Sequence, residues 1–133
     1  MLRLRTIVVP TDFSEPARAA LVLAEELAAR WDADLHVLHV VDALAARFID
    51  VPDYAVLGRY QTALEQAAWR EMDAMLAANR DGREPQPRGI VLTDASIARA
   101  FAGYADDIDA DLHAGVAGLA IGLVRSILMG YRS

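Results

Sequence analysis

The sequence predicts an α/β fold built on a mostly parallel sheet, and three observations predict it. Thr6-Ile-Val-Val9 is a continuous β-branched apolar run closed by Pro10, the pattern of a parallel strand buried on both faces. Strand-like runs then alternate with helix-period segments as far as residue 108, which is the order of βαβ units. The joints between them carry Asp, Ser or Pro where a helix would begin.

After the first strand, Ser14 is placed to cap a helix with Pro16 in its first turn. Ala17, Leu21, Ala24, Ala28 and Trp31 recur along one face of that helix. Asp32-Ala-Asp34 breaks the period, and Leu35-His-Val-Leu-His-Val-Val41 follows as a second strand. The unit closes a right-handed β-α-β crossover. Asp42 to Pro52 reads as loop, and Asp53 as the cap of a long amphipathic helix. Its buried face is predicted to hold Leu57, Tyr60, Leu64, Ala68, Met72 and Met75, with Arg59, Gln66, Arg70 and Asp73 opposite. Asn79 to Pro87 is loop, Gly89-Ile-Val-Leu-Thr93 a third strand, and Asp94 the expected cap of a further helix. That helix would bury Ile97, Phe101, Tyr104, Ala105 and Ile108. Asp109 to Gly115 stands where a fourth strand belongs. Gly115 to Gly122 is glycine-spaced, Leu123 to Met129 suits a short helix, and no fifth strand follows.

A chain of 133 residues is expected to form a single domain, residues 1–133. It is 55% hydrophobic and 24% charged, a globular composition. The formal charge of −6 repels a phosphate backbone, so nucleic acid is not an expected partner. All 13 basic residues are arginine, which excludes a lysine phosphate grip and Schiff-base chemistry, and the lack of cysteine excludes disulfides and thiolate sites. The weakly polar stretch Ala114–Val124 has 11 residues, against roughly 20 needed to span a bilayer. With no recognisable targeting segment, a cytoplasmic protein without a membrane partner is expected.

Ligands of open parallel sheets bind beyond the carboxyl ends of the strands. Asp12 lies there, and its carboxylate suits the two donors of a ribose diol, as it equally suits a turn. Gly115-x-x-Gly118 would let backbone amides approach a phosphate, or let helices pack closely. Neither a P-loop nor a G-x-G-x-x-G fingerprint is present. His36 and His39, three apart on a strand, point to opposite faces and read as core or edge histidines, as does His113. Asp106, Asp107, Asp109 and Asp111 read as a solvated cluster, Ser14 as a cap rather than a nucleophile, and no residue set argues for catalysis.

Taken together, Ile7-Val-Val-Pro-Thr-Asp-Phe-Ser-Glu-Pro16, Ala28-Ala-Arg-Trp31, Leu35-His-Val-Leu-His-Val-Val-Asp42, Gly89-Ile-Val-Leu-Thr93 and Tyr104-Ala-Asp-Asp-Ile-Asp-Ala-Asp-Leu112 resemble the universal stress protein family. The resemblance implies a Rossmann-like sheet of order 3-2-1-4-5, usually in a homodimer, here ordered 3-2-1-4 with the fifth strand missing. One branch of the family binds ATP, accompanied by Mg²⁺, and the roles of that site fall on Asp12 for ribose and on Val41 for the adenine edge. Pro10 and Thr11 shape the adenine side, and Gly115, Gly118 and Gly130 belong to the phosphate segment. The tail departs from the family pattern: eleven residues rather than nine separate Gly118 from Gly130, Tyr131 follows in place of a small hydroxyl residue, and His113-Ala114 replaces an apolar pair. The resemblance therefore implies a stress-response module that binds adenine nucleotide without being an enzyme, slow ATP hydrolysis at most. The alternative is a homodimeric interaction module of the same fold that has lost the nucleotide.

Overall fold

The computed structural model describes residues 4–48, 50, 53–78 and 86–108, with 112–113 as strand backbone. The elements run β1 (Thr6–Pro10), α1 (Glu15–Trp31), β2 (Asp34–Asp42), α2 (Leu44–Arg47), α3 (Tyr54–Ala78), β3 (Arg88–Asp94), α4 (Ile97–Asp107) and β4 (Leu112–His113). The strands lie in the order β3-β2-β1-β4, all pairs parallel.

Alternation along the strands sends side chains to two apolar layers. Ile7, Val9, Leu35 and Val37 meet Ala20, Leu21, Ala24 and Leu27 of α1 and Met72 and Met75 of α3 on one face. Val8 and Leu38 meet Phe101 of α4 on the other, flanked by Val40, Ile90, Leu92, Tyr104 and Ile108. Two crossovers advancing from β1 to β3 share a face, and the return through α4 takes the opposite one, as right-handed connections require. The reversal falls between β1 and β4, so the carboxyl end of β1 is the switch point of this sheet.

Local chemistry fixes the helix ends. The Ser14 hydroxyl accepts the Ala17 N–H at the start of α1. At its end Asp32 adopts φ 53 and ψ 45, and the Asp32 and Ala33 N–H groups both reach Ala28 O, with Ala28 and Ala33 buried together. This is a Schellman-type stop with an aspartate in the left-handed position usually held by glycine. Asp53 caps α3 as expected, its Oδ1 accepting the N–H groups of Ala55 and Val56.

Four expectations are corrected. The segment from Asp42 to Pro52 is not all loop: Asp42 ends β2, and Leu44–Arg47 makes one turn of helix, α2. The cap of α4 is Ser96, which accepts the Arg99 N–H, while Asp94 ends β3 and holds Ser96 N–H and the Arg99 guanidinium. Tyr60 and Leu64 are 64% and 44% exposed rather than buried. A 25-residue helix is about 37 Å long, whereas the seven residues of β3 cover about 23 Å. Only the carboxyl half of α3, with Ala68, Met72 and Met75 buried, lies on the sheet. Ile97, in the first turn of α4, is 59% exposed. The expectations for Asn79–Pro85, for Asp109 and Asp111, and for everything from Ala114 onward lie outside the described residues.

Candidate functional site

At the carboxyl end of β1 the chain leaves the sheet through Thr11-Asp-Phe-Ser14 and enters α1. Thr11 is 5% exposed, the one buried polar residue among those described, and its groups are all engaged. Its N–H donates to Leu38 O at 2.8 Å, its carbonyl accepts His39 Nδ1 at 2.7 Å, and its hydroxyl accepts Phe13 N–H at 3.0 Å while facing Met75 Sδ at 3.8 Å. Thr11 therefore builds the floor of the turn rather than a contact surface. Pro10, half-buried at the end of β1, continues that floor.

Asp12 is exposed. Its Oδ1 accepts both the Ser14 N–H, at 3.0 Å, and the Ser14 hydroxyl. These bonds, the side-chain one first, hold the Asp12 carboxyl below the ordinary value of 3.8, with the nearby His39 acting in the same direction. The carboxylate is thus a turn former through one oxygen, and among the described residues its other oxygen accepts no hydrogen bond. Turn and ligand roles are compatible on the same side chain.

Phe13 between them has φ 64, the left-handed region, which costs a non-glycine residue roughly 1–2 kcal/mol. Its ring lies 4.5 Å from the His39 ring at 34°. Neither Phe13 nor the role of His39 is visible in residue type alone. The signal for them is an Asp-Phe-Ser turn without glycine, directly after a strand.

The second wall is the end of β2. Because Thr11 N–H bonds Leu38 O, even-numbered residues of β2 present their backbone to β1 and odd-numbered ones to β3. Val41, buried and in register with Thr93, faces β3. Val40 presents its N–H and C=O beyond the last bond to β1, toward the Thr11–Ser14 turn. Counting parity from one known pair separates Val40 from Val41, and residue type cannot. Gln61 of α3 ties this end down: its Nε2 donates to Asp42 O at 3.0 Å, and its Oε1 accepts Leu44 N–H at 2.8 Å.

His36 and His39 do lie on opposite faces of β2. His36 Nδ1 and Tyr104 OH are hydrogen-bonded at 2.7 Å at the far end of the sheet. Gly115, Gly118 and Gly130 lie outside the described residues. Among the described residues, no three His, Cys, Asp or Glu side chains gather in a metal-holding group. No described helix is long and apolar enough to cross a membrane. The structure thus brings Pro10, Thr11 and Asp12, at the end of β1, beside the end of β2, where Val40 faces the β1 side and Val41 faces β3.

The fold is shared with several solved structures. A universal stress protein, UspA, from Lactobacillus plantarum is 24% identical, with a TM-score of 0.68 over 85% of this chain and 77% of that one. A member of the family from Burkholderia pseudomallei is 27% identical, with a TM-score of 0.67 over 93% and 90%. A universal stress protein described in complex with cAMP is 22% identical, with a TM-score of 0.52 over 84% and 71%. None of the curated proteins matches significantly. The universal stress protein family model matches residues 3–112, a span that runs from β1 through α4 to the start of β4 and contains the Asp12 turn, and the chain belongs to that family.

Proposed function

We propose that this protein binds an adenine nucleotide, ATP with Mg²⁺ accompanying its phosphates, at the carboxyl ends of β1 and β2. It does so as a cytoplasmic, homodimeric stress-response module that senses rather than turns over the nucleotide. The carrying observation is the pairing of an exposed Asp12 carboxylate, one oxygen of which is fixed by Ser14, with the Val40 backbone, which among the described residues lies beyond the last bond from β2 to β1. A carboxylate oxygen accepts from ribose hydroxyls, and an adjacent N–H and C=O match the acceptor and donor of an adenine edge. The phosphate end would rest on Gly115, Gly118 and Gly130. Family membership supports the reading, as does a fold relative described in complex with cAMP.

Calorimetric titration of nucleotide-stripped protein with Mg-ATP tests it. The expected result is micromolar binding that Asp12→Ala weakens about tenfold, the effect of one lost charged hydrogen bond. Equal affinity in the variant would remove Asp12 from the site.

One observation favours a second reading, an interaction module of the same fold. Phe48, Tyr54, Tyr60 and Leu64 are all at least 44% exposed, and with Leu44, Val56, Leu57 and Ala63 several of them line an apolar groove of about 520 Å³. Absence of nucleotide binding, together with loss of self-association in Tyr60→Ser/Leu64→Ser, would establish that reading instead.

A further inference from the structure

We propose that His39 is the positioning residue of the Asp12 turn, holding that turn in the one conformation in which its carboxylate can receive a ligand. The proposal rests on the nucleotide reading for its ligand and on this structure alone for its geometry.

Two contacts carry it. Thr11 O can only accept, so the 2.7 Å bond from His39 Nδ1 makes that nitrogen the protonated one. The ring is thereby locked as the Nδ1–H tautomer, whatever happens at Nε2. The same ring lies 4.5 Å from the ring of Phe13, the residue that stands at φ 64. His39 thus grips the turn on both sides of Asp12, by the carbonyl before it and the side chain after it. Relaxation of Phe13 out of the left-handed region would reorient the peptide between Asp12 and Ser14. The Ser14 N–H that now reaches Asp12 Oδ1 at 3.0 Å would be withdrawn. A strained residue persists only where its surroundings over-determine it. Here Thr11 Oγ1 on the Phe13 N–H and the His39 ring supply that determination. The side chain belongs to β2 and the turn to the end of β1, so the sheet itself sets the reach.

The test begins on the ligand-free protein. Nitrogen-15 NMR of the imidazoles is expected to show His39 as the Nδ1–H tautomer, and an Nε2–H tautomer would overturn the proposal without any variant. Two substitutions follow. The amide nitrogen of an asparagine sits where Nδ1 does, so His39→Asn keeps the grip on Thr11 O without the charge. His39→Gln instead carries its amide out to the Nε2 position. In H39Q the Asp12 carboxyl is expected to titrate closer to the ordinary aspartate value, and Mg-ATP affinity to fall about tenfold, the size of one hydrogen bond's loss. H39N, which keeps the bond to Thr11 O but not the ring against Phe13, is expected to restore both part of the way toward wild type, which a loss of His39 charge would not allow. An Asp12 titration unchanged in H39Q, or an H39N indistinguishable from H39Q, would overturn the proposal. A wild type that binds no Mg-ATP while Asp12 responds as expected supports the positioning role and overturns the nucleotide reading.

Discussion

Thr11 shows how one buried residue can set the course of a turn. Buried and fully hydrogen-bonded, it joins β1 to β2 through Leu38 and His39 and starts the turn that exposes Asp12. His36, on the other face of the same strand, does comparable work for α4 through Tyr104. Burial holds the His36 imidazole below its ordinary value of 6.5, and the Arg88 charge, in register on β3, pushes it the same way. The folded state therefore favours the neutral ring, and the unfolded chain takes up the proton first as pH falls. The contribution is complete above about pH 6.5 and is lost as pH drops from there through the lower folded value. Urea midpoints are accordingly expected to fall between about pH 7.5 and pH 5.5, and less steeply in His36→Gln. Parallel slopes in the two proteins would remove His36 from the acid sensitivity.

At the scale of elements, two contacts have clear mutational consequences. Gly89 of β3 lets α3 approach closely: a Cβ there would stand 2.5 Å from Met72 Cγ, a mid-chain atom of a fully buried residue. Gly89→Ala is expected to cost about 1–3 kcal/mol through overpacking, read as a lower urea midpoint with unchanged slope. An unaffected midpoint would mean that α3 slides freely on β3. Asp32 is the converse case, a left-handed residue carrying negative charge at the carboxyl end of α1. Asp32→Gly relieves both the backbone and the dipole and is expected to stabilise by about 0.5–1 kcal/mol, with a higher midpoint. A lower one would show that the aspartate side chain has a stabilising partner.

The elements legible in the sequence are those with long signals. β1, α1, β2, α3 and β3 each carry an apolar run or a helical period, and tertiary structure follows it. α2 is not legible, because its four residues are too few to show a period or to be helical by propensity. The sequence sets the cap of α4 two residues early, since Asp94 and Ser96 are both cap formers and only the ending of β3 decides between them. Tyr60 and Leu64 have the right period for burial, yet periodicity says nothing about how far the sheet extends under a helix. Within the site, Asp12 is legible from its place after a strand. His39 as a grip on Thr11, Phe13 in the left-handed region and the facing of Val40 all depend on register, which one chain read in isolation does not display.

Over the whole molecule, the described helices form layers on the two faces of the sheet. α1 and α3 cover one face, α4 covers the other, and the chain reverses direction beside β1. On the proposed reading the nucleotide meets the Asp12 carboxylate and the backbone at the end of β2, with the tilted Phe13–His39 ring pair beside them, while α3 carries an apolar face of its own. The measurement that tests this most directly is a backbone NMR titration of the stripped protein with Mg-ATP. Binding at the proposed site is expected to shift the amides of Asp12 to Ser14 and of Val40 to Asp42, and to leave Tyr54 to Leu64 in place. Shifts confined to α3, or none at saturating nucleotide, would contradict a nucleotide crevice at the ends of β1 and β2.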